Sequence, residues 1–152
     1  MQSVHDFALK HPTIEISFDQ EIKKQFGQDW SGLLIPNPCA VAFPRTTQEV
    51  AHIVVFCAQN DIKIVPSGGR TGLSGGAIAA HEELVLSLTK MNQIFELNQE
   101  EMSLHLQAGV ITQAVHHYCE SQGLTWPVDF ASKGSSTVGG NIATNAGGVR
   151  VI

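Results

Sequence analysis

Charge is sparse in this chain of 152 residues and leans acidic: 9 Lys and Arg stand against 14 Asp and Glu, a formal net charge of −5 with histidine neutral. The basic residues are scattered singly, without the clustering that tracks a phosphate backbone, so a nucleic-acid partner is not expected. No apolar run approaches the ~18 residues of a membrane-spanning helix. Met1-Gln2-Ser3-Val4-His5-Asp6 lacks a basic stretch followed by an apolar one, so no secretory leader is expected and a cytoplasmic location is the default. Cys39, Cys57 and Cys119 are odd in number, far apart and free of any CxxC spacing, which excludes a disulfide framework or a zinc knuckle and leaves buried structural thiols. The 7 histidines form neither HxxxH nor HExxH. His116 and His117 are neighbours that point about 100° apart on a helix, so no metal site is expected.

Glycine is plentiful, with 14 residues gathered mostly into two segments. One is Pro66-Ser67-Gly68-Gly69-Arg70-Thr71-Gly72-Leu73-Ser74-Gly75-Gly76; the other runs from Gly134-Ser135-Ser136-Thr137-Val138-Gly139-Gly140-Asn141 through Thr144-Asn145-Ala146 to Gly147-Gly148. Each offers bare backbone N–H groups, small hydroxyls and little bulk, which suits a pyrophosphate and the edge of a flat aromatic ring. Three common motifs fail. The dinucleotide fingerprint begins at Ser67 instead of glycine and has no long helix after it; the P-loop spacing of Gly134 and Gly139 is followed by Gly140 where lysine is needed; Gly72-Leu73-Ser74-Gly75 lacks the spacer of a nucleophile elbow.

Residues 1–35 read as a lead-in segment with a short helix marked by Phe18, Ile22 and Phe26. A first lobe over 36–90 follows. Ala40 to Phe43 and Ile62 to Val65 are strands flanking a helix capped by Thr46 or Thr47, whose apolar face carries Val50, Ile53, Val54 and Cys57. This β-α-β order predicts parallel pairing, with Leu84 to Leu88 as a further strand. Past residue 90 the style changes. Ile94 to Leu97 and Leu104 to Ala108 alternate like antiparallel strands, then Ile111, Val115 and Tyr118/Cys119 mark a helix ending at Gly123. The second lobe, 91–152, closes on the second glycine segment, and the whole is an α+β protein of two small lobes.

Taken together, these residues resemble a known family. Asp29-Trp30, Pro38-Cys39-Ala40-Val41-Ala42-Phe43-Pro44 with Thr46-Thr47-Gln48-Glu49-Val50, the stretch Ile62 to Ala77, and Pro127-Val128-Asp129 onward to Gly148 resemble the N-terminal part of the FAD-binding domain of FAD-linked D-2-hydroxyacid dehydrogenases, in the vanillyl-alcohol-oxidase (PCMH-type) superfamily. The resemblance implies that Pro66, Ser67, Gly68, Gly69, Arg70, Thr71, Gly72 and Leu73 cradle the FAD pyrophosphate. It implies that Pro127, Gly134, Ser135, Thr137, Val138, Gly139, Gly140 and Asn141, with Thr144, Asn145 and Ala146, line the flavin and its ribityl and phosphate chain. Arg70 holds the slot that carries histidine in relatives with covalent flavin, so the FAD is expected to be dissociable.

The resemblance also implies further strands and a substrate domain beyond Gly148, so the chain is expected to be truncated at the C-terminal side and inactive alone. The parent is expected to oxidise a small D-2-hydroxy acid such as D-lactate, glycolate or D-2-hydroxyglutarate, either in the cytoplasm or peripherally at the inner membrane. Alternatives are a self-sufficient FAD module completed by a partner chain, and a folded remnant without cofactor. An unpaired sheet edge would invite a homodimer. No catalytic residue is assigned: His105 reads as structural, and Lys133 reads either as a phosphate neighbour or as an exposed loop lysine.

Overall fold

The computed structural model describes residues 3–150, so the outermost residues of the lead-in segment and of the second lobe lie outside it. Four strands form the first sheet: β1 (Glu15–Ser17), β2 (Ala40–Phe43), β3 (Ile64–Ser67) and β4 (Leu84–Ser87), in the order β1-β2-β4-β3. β1 is antiparallel to β2, while β4 is parallel to both β2 and β3. The expected parallel pairing is present, but β4 separates the two strands that flank the helix. Every residue of β2 and β4 is buried, as befits strands covered on both faces.

Alternation along β2 divides the first lobe into two apolar layers. Ala40 and Ala42 face a cluster with Ile53, Phe56 and Cys57 of α3 (Thr47–Gln59) and with Val4 and Phe7 of α1 (Val4–Lys10). Val41 and Phe43 face Ala79, Val85, and the partly buried Ile22 and Phe26 of α2 (Gln20–Phe26). Thr46 caps α3, its side chain accepting from the Glu49 N–H at 3.2 Å. The buried face of α3 uses Phe56 where Val54 was expected; Val54 is exposed, because Phe56 stacks on Phe7 at 4.3 Å. Burial pushes the Cys57 thiol up to about 11, consistent with an inert packing role. The lead-in segment is thus built into the first lobe, with α1 and β1 contributing core and sheet.

A 3-10 turn over Leu88–Lys90 leads into the second lobe. Here β5 (Ile94–Asn98) and β6 (Ser103–Leu106) form an antiparallel hairpin with an irregularity between Ile94 and Glu96. Their inward residues pack with Val110, Val115 and Cys119, the latter two from α4 (Thr112–Ser121). Gly123 at φ +71 reverses the chain after α4, where a side chain would be strained. A short helix absent from the sequence reading, α5 (Val138–Ala143), occupies the middle of the second glycine segment.

Candidate functional site: two glycine segments in contact

The first glycine segment leaves the C-terminal end of β3, the edge at which open α/β sheets characteristically bind ligands. None of the N–H groups of residues 69–76 donates to another described residue. Arg70 at φ +56 and Gly75 at φ +76 turn the chain through left-handed conformations, and added Cβ atoms at Gly72 and Gly76 would meet open space. Thr71 is half-buried and Ser74 exposed. Unsatisfied N–H groups and two hydroxyls make a donor set for an anion, and the Arg70 guanidinium beside them has no acidic partner among the described residues. The Ser67 hydroxyl at the root of the loop is buried and has no hydrogen-bond partner among the described residues. Pro66 is exposed at the strand exit and Leu73 is 70% exposed at the loop's tip.

Beside this loop lies the Asp29-Trp30 pair. The Trp30 N–H donates to the Gly72 carbonyl at 3.2 Å. One oxygen of the buried Asp29 carboxylate accepts from the Ser31 N–H and hydroxyl; the other has no partner among the described residues.

The two glycine segments touch backbone to backbone. A Cβ at Gly69 would stand 2.2 Å from the Ser135 carbonyl oxygen, and one at Gly68 would stand 2.5 Å from Thr137 Oγ1. Bare Cα atoms are therefore required at the seam, which is a reason for glycine that needs no positive φ.

The second segment divides its residues between the seam and the scaffold. At the start of α5, Val138 N–H donates to the Val110 carbonyl, Gly139 N–H to Ala108, and Gly140 N–H to Thr137 Oγ1. These donors are consumed by protein, so the open anion donors belong to the first loop. Asn141 is buried; its Nδ2 donates to Thr112 Oγ1 at 2.8 Å, and Thr112 shares a 2.7 Å hydrogen bond with Ser136. Gly134 and Ser135 remain exposed, as do Thr144 and Asn145, whereas Ala146 is half-buried with its N–H on the Asn141 carbonyl. Pro127 is exposed in the approach to this segment.

A groove of about 750 Å³ lies in the second lobe between the hairpin and the two helices, lined by Leu97, Leu106, Trp126, Val138 and Ile142 among others. Asn141, Asn145 and Ala146 border it, but no residue of 66–73 does. This groove is therefore mostly apolar and separate from the anion donors.

Lys133 does not offer its charge to the first loop. Its ammonium donates to Asp129 Oδ1 at 2.8 Å, and Arg150 lies 3.7 Å from Oδ2. This bond to Lys133, aided by the charges of Lys133 and Arg150, holds the Asp129 carboxyl below its ordinary range. The Asp129 N–H also donates to the Gly147 carbonyl, while Gly148, at φ +81, packs against Asp129 too closely for a Cβ. A depressed folded pKa stabilises above the unfolded value and is lost as pH falls through the folded one. The stability gap between wild type and Asp129→Asn should be steady above about pH 5 and close on further acidification. Urea unfolding at stepped pH checks this, and a gap independent of pH would contradict it.

Sequence reasoning missed Phe26, which lies under Arg70, and Thr112, which anchors Asn141. Neither carries a local signal, because each acts across a distance in sequence.

Comparison with known proteins gives a consistent result. The chain is 47% identical over 141 residues to a D-2-hydroxyglutarate dehydrogenase of Xanthomonas citri pv. viticola, covering 93% of this chain and 30% of the relative. It is 45% identical over 133 residues to a D-lactate dehydrogenase of Anaerostipes hadrus, covering 87% of this chain and 28% of the relative. The chain thus spans less than a third of these relatives' lengths.

Among solved structures, alkyldihydroxyacetonephosphate synthase superposes with a TM-score of 0.82 at 19% identity, covering 94% of this chain and 32% of the other. 6-Hydroxy-D-nicotine oxidase of Arthrobacter nicotinovorans superposes with a TM-score of 0.70 at 21% identity, covering 80% of this chain and 27% of the other. These likenesses give the fold, the mixed α/β architecture that this chain shares with both enzymes. With the model of the FAD binding domain matching residues 38–152, which include both glycine segments, the chain belongs to the FAD-binding domain family.

Proposed function

We propose that this chain is the cofactor-holding part of a flavin-dependent dehydrogenase acting on a small D-2-hydroxy acid of the D-2-hydroxyglutarate or D-lactate class. The observation that carries the reading is the array of unsatisfied N–H groups at residues 69–76, set against the second glycine segment. The donor set fits FAD: backbone N–H groups and the hydroxyls of Thr71 and Ser74 hold the pyrophosphate, and Ser67 stands at the root. Gly134, Ser135 and Gly140 let the cofactor lie close to the backbone, with Thr144, Asn145 and Ala146 further along the same segment, whereas the bare Cα of Gly139 packs against Ala108. Thr137, Val138 and Asn141 act by fixing that segment. When bound, FAD supplies a two-electron acceptor for the hydride of the substrate's α-carbon.

The substrate class comes from the names of the relatives, of which the chain matches only a part. We assign no proton-transfer residue here. His116 Nε2 is hydrogen-bonded to the Val128 carbonyl at 2.8 Å, and the His105 ring lies against Phe95. Arg70 cannot form the flavin bond that a histidine forms, so the cofactor is held non-covalently. Among the described residues no helix is long and apolar enough to cross a membrane.

Both outer edges of the β5–β6 hairpin are unpaired among the described residues, which favours completion by a second copy or another strand. Titrating the purified chain with FAD is expected to give saturable binding and a perturbed visible spectrum, with all flavin released on acid precipitation. A folded chain that binds no FAD, or flavin that precipitates with the protein, would overturn the corresponding part. Size exclusion of the same sample checks self-association, which a monomer at high concentration would exclude.

A further inference from the structure

We infer that Arg70 is a positioning residue of the phosphate loop instead of one of its ligands, and that the Phe26 ring is its anchor. This rests on the FAD reading of the loop and deepens it. Arg70 adopts φ +56, a conformation that glycine accepts freely and a side chain resists. Two glycines precede it, yet the turn itself carries one of the longest side chains, so that side chain must supply something in return. Its guanidinium lies over the Phe26 ring, 4.3 Å from the centroid, and Nη1 donates to the Gly68 carbonyl at 3.2 Å. Burial also lowers the pKa of the guanidinium, in keeping with a head group drawn back from water.

The anchor is itself fixed. Phe26 ends α2 and meets Phe43 of β2 edge-on, with centroids 4.8 Å apart and planes at 89°. At the other end, Gly68 faces Thr137 across the seam and Gly69 faces Ser135. A continuous path therefore runs from the first lobe's core through ring, guanidinium and carbonyl to the contact between the glycine segments. Arg70's one hydrogen bond goes to the loop's own backbone, and it closes the turn whose N–H groups remain open. The charge has no acidic partner among the described residues, so direct binding of phosphate by Arg70 is the competing role to be tested.

FAD titration and amide hydrogen exchange of the ligand-free chain separate the two roles. Phe26→Leu removes the ring and leaves every donor and charge of the loop in place. It is expected to weaken FAD binding by about tenfold, the scale of a partly buried cation–π contact. Arg70→Lys should weaken it similarly, and the double variant should be no worse than either single one. In the ligand-free protein, exchange at the hydrogen-bonded amides of Ser135 and Ser136, which face Gly69, should quicken in both single variants.

Wild-type affinity in Phe26→Leu, with Arg70→Lys losing affinity and salt dependence, would make Arg70 a ligand and overturn the inference. Should Phe26→Leu fail to fold, Arg70→Gly leaves the core untouched and tolerates the left-handed turn. Unchanged exchange at Ser135 and Ser136 in that variant would equally overturn it. If the wild-type chain binds no FAD, the functional reading fails, while the exchange measurements still decide whether Arg70 holds the loop.

Discussion

Gly69→Ala is expected to weaken FAD binding by about 100-fold while leaving both lobes largely folded. The new methyl carbon would sit 2.2 Å from the Ser135 carbonyl oxygen, 2.7 Å from Ser136 Cα and 2.9 Å from the Ser135 carbonyl carbon. All three are backbone atoms, so no rotamer change relieves the contact. Relief requires the loop and the 135–137 backbone to part by about 1 Å, and a displacement of that size costs about 100-fold where groups must converge on one ligand. The stability loss should be about 1–3 kcal/mol, since the overpacking falls at the edge of the apolar clusters. Gly72→Ala is the control for folding, because a Cβ there meets nothing within 4 Å. FAD titration beside thermal unfolding checks the pair. Wild-type affinity in Gly69→Ala would mean that the seam between the segments is not part of the cofactor site.

Much of the first lobe was legible because its signals are local. Ala40 to Phe43 reads as a strand from its apolar run and the proline after it, and Thr46 with Glu49 marks the start of α3. The position of β4 between β2 and β3 was not legible. Every residue of β2 and β4 is buried and β3 is an edge, and an apolar run does not say which of its neighbours is central. α1 was hidden because about two turns of periodicity are too little, although its capping box of Ser3 and Asp6 was present to be read. α5 was hidden for a different reason: Val138-Gly139-Gly140-Asn141 is a poor helix by propensity. It forms because Thr137 caps it, Val110 and Ala108 accept its first N–H groups, and Asn141 is tied to Thr112.

The site shows the same division. Glycine density marked both segments, and the resemblance covered them residue by residue. What the sequence does not distinguish is why each glycine is there. Gly72 leaves space, Gly75 takes a positive φ, Gly68 admits the Thr137 hydroxyl, and Gly69 admits another stretch of backbone. Nor does it show that the second segment's donors are mostly spent internally, which moves the anion chemistry to the first loop. The sequence reads Arg70 as part of the pyrophosphate cradle, and Phe26, which lies beneath it, stands 44 positions earlier in the numbering with no local signal.

A second glycine outside both segments should give the largest loss of stability. Gly109 follows β6, where its N–H donates to the Met91 carbonyl at 2.8 Å. A Cβ there would lie 1.8 Å from the Leu88 carbonyl oxygen and 2.8 Å from that of Met91. Both belong to the turn joining the lobes, so Gly109→Ala forces the start of the second lobe off the end of the first. The expected cost is about 3 kcal/mol, the upper end for overpacking, because the obstruction is backbone on two sides. For a chain of this size that lowers Tm by about 6–12 °C.

Unlike Gly69→Ala, this variant leaves the loop's donors intact, so saturating FAD should restore part of the lost Tm through binding to the folded state alone. Melting within 2 °C of wild type, on the scale of a loss under about 1 kcal/mol, would show that the turn yields freely. The lobes would then be held together chiefly by the glycine seam at 68–69 and 135–137, and Gly69→Ala would become the more destabilising of the two.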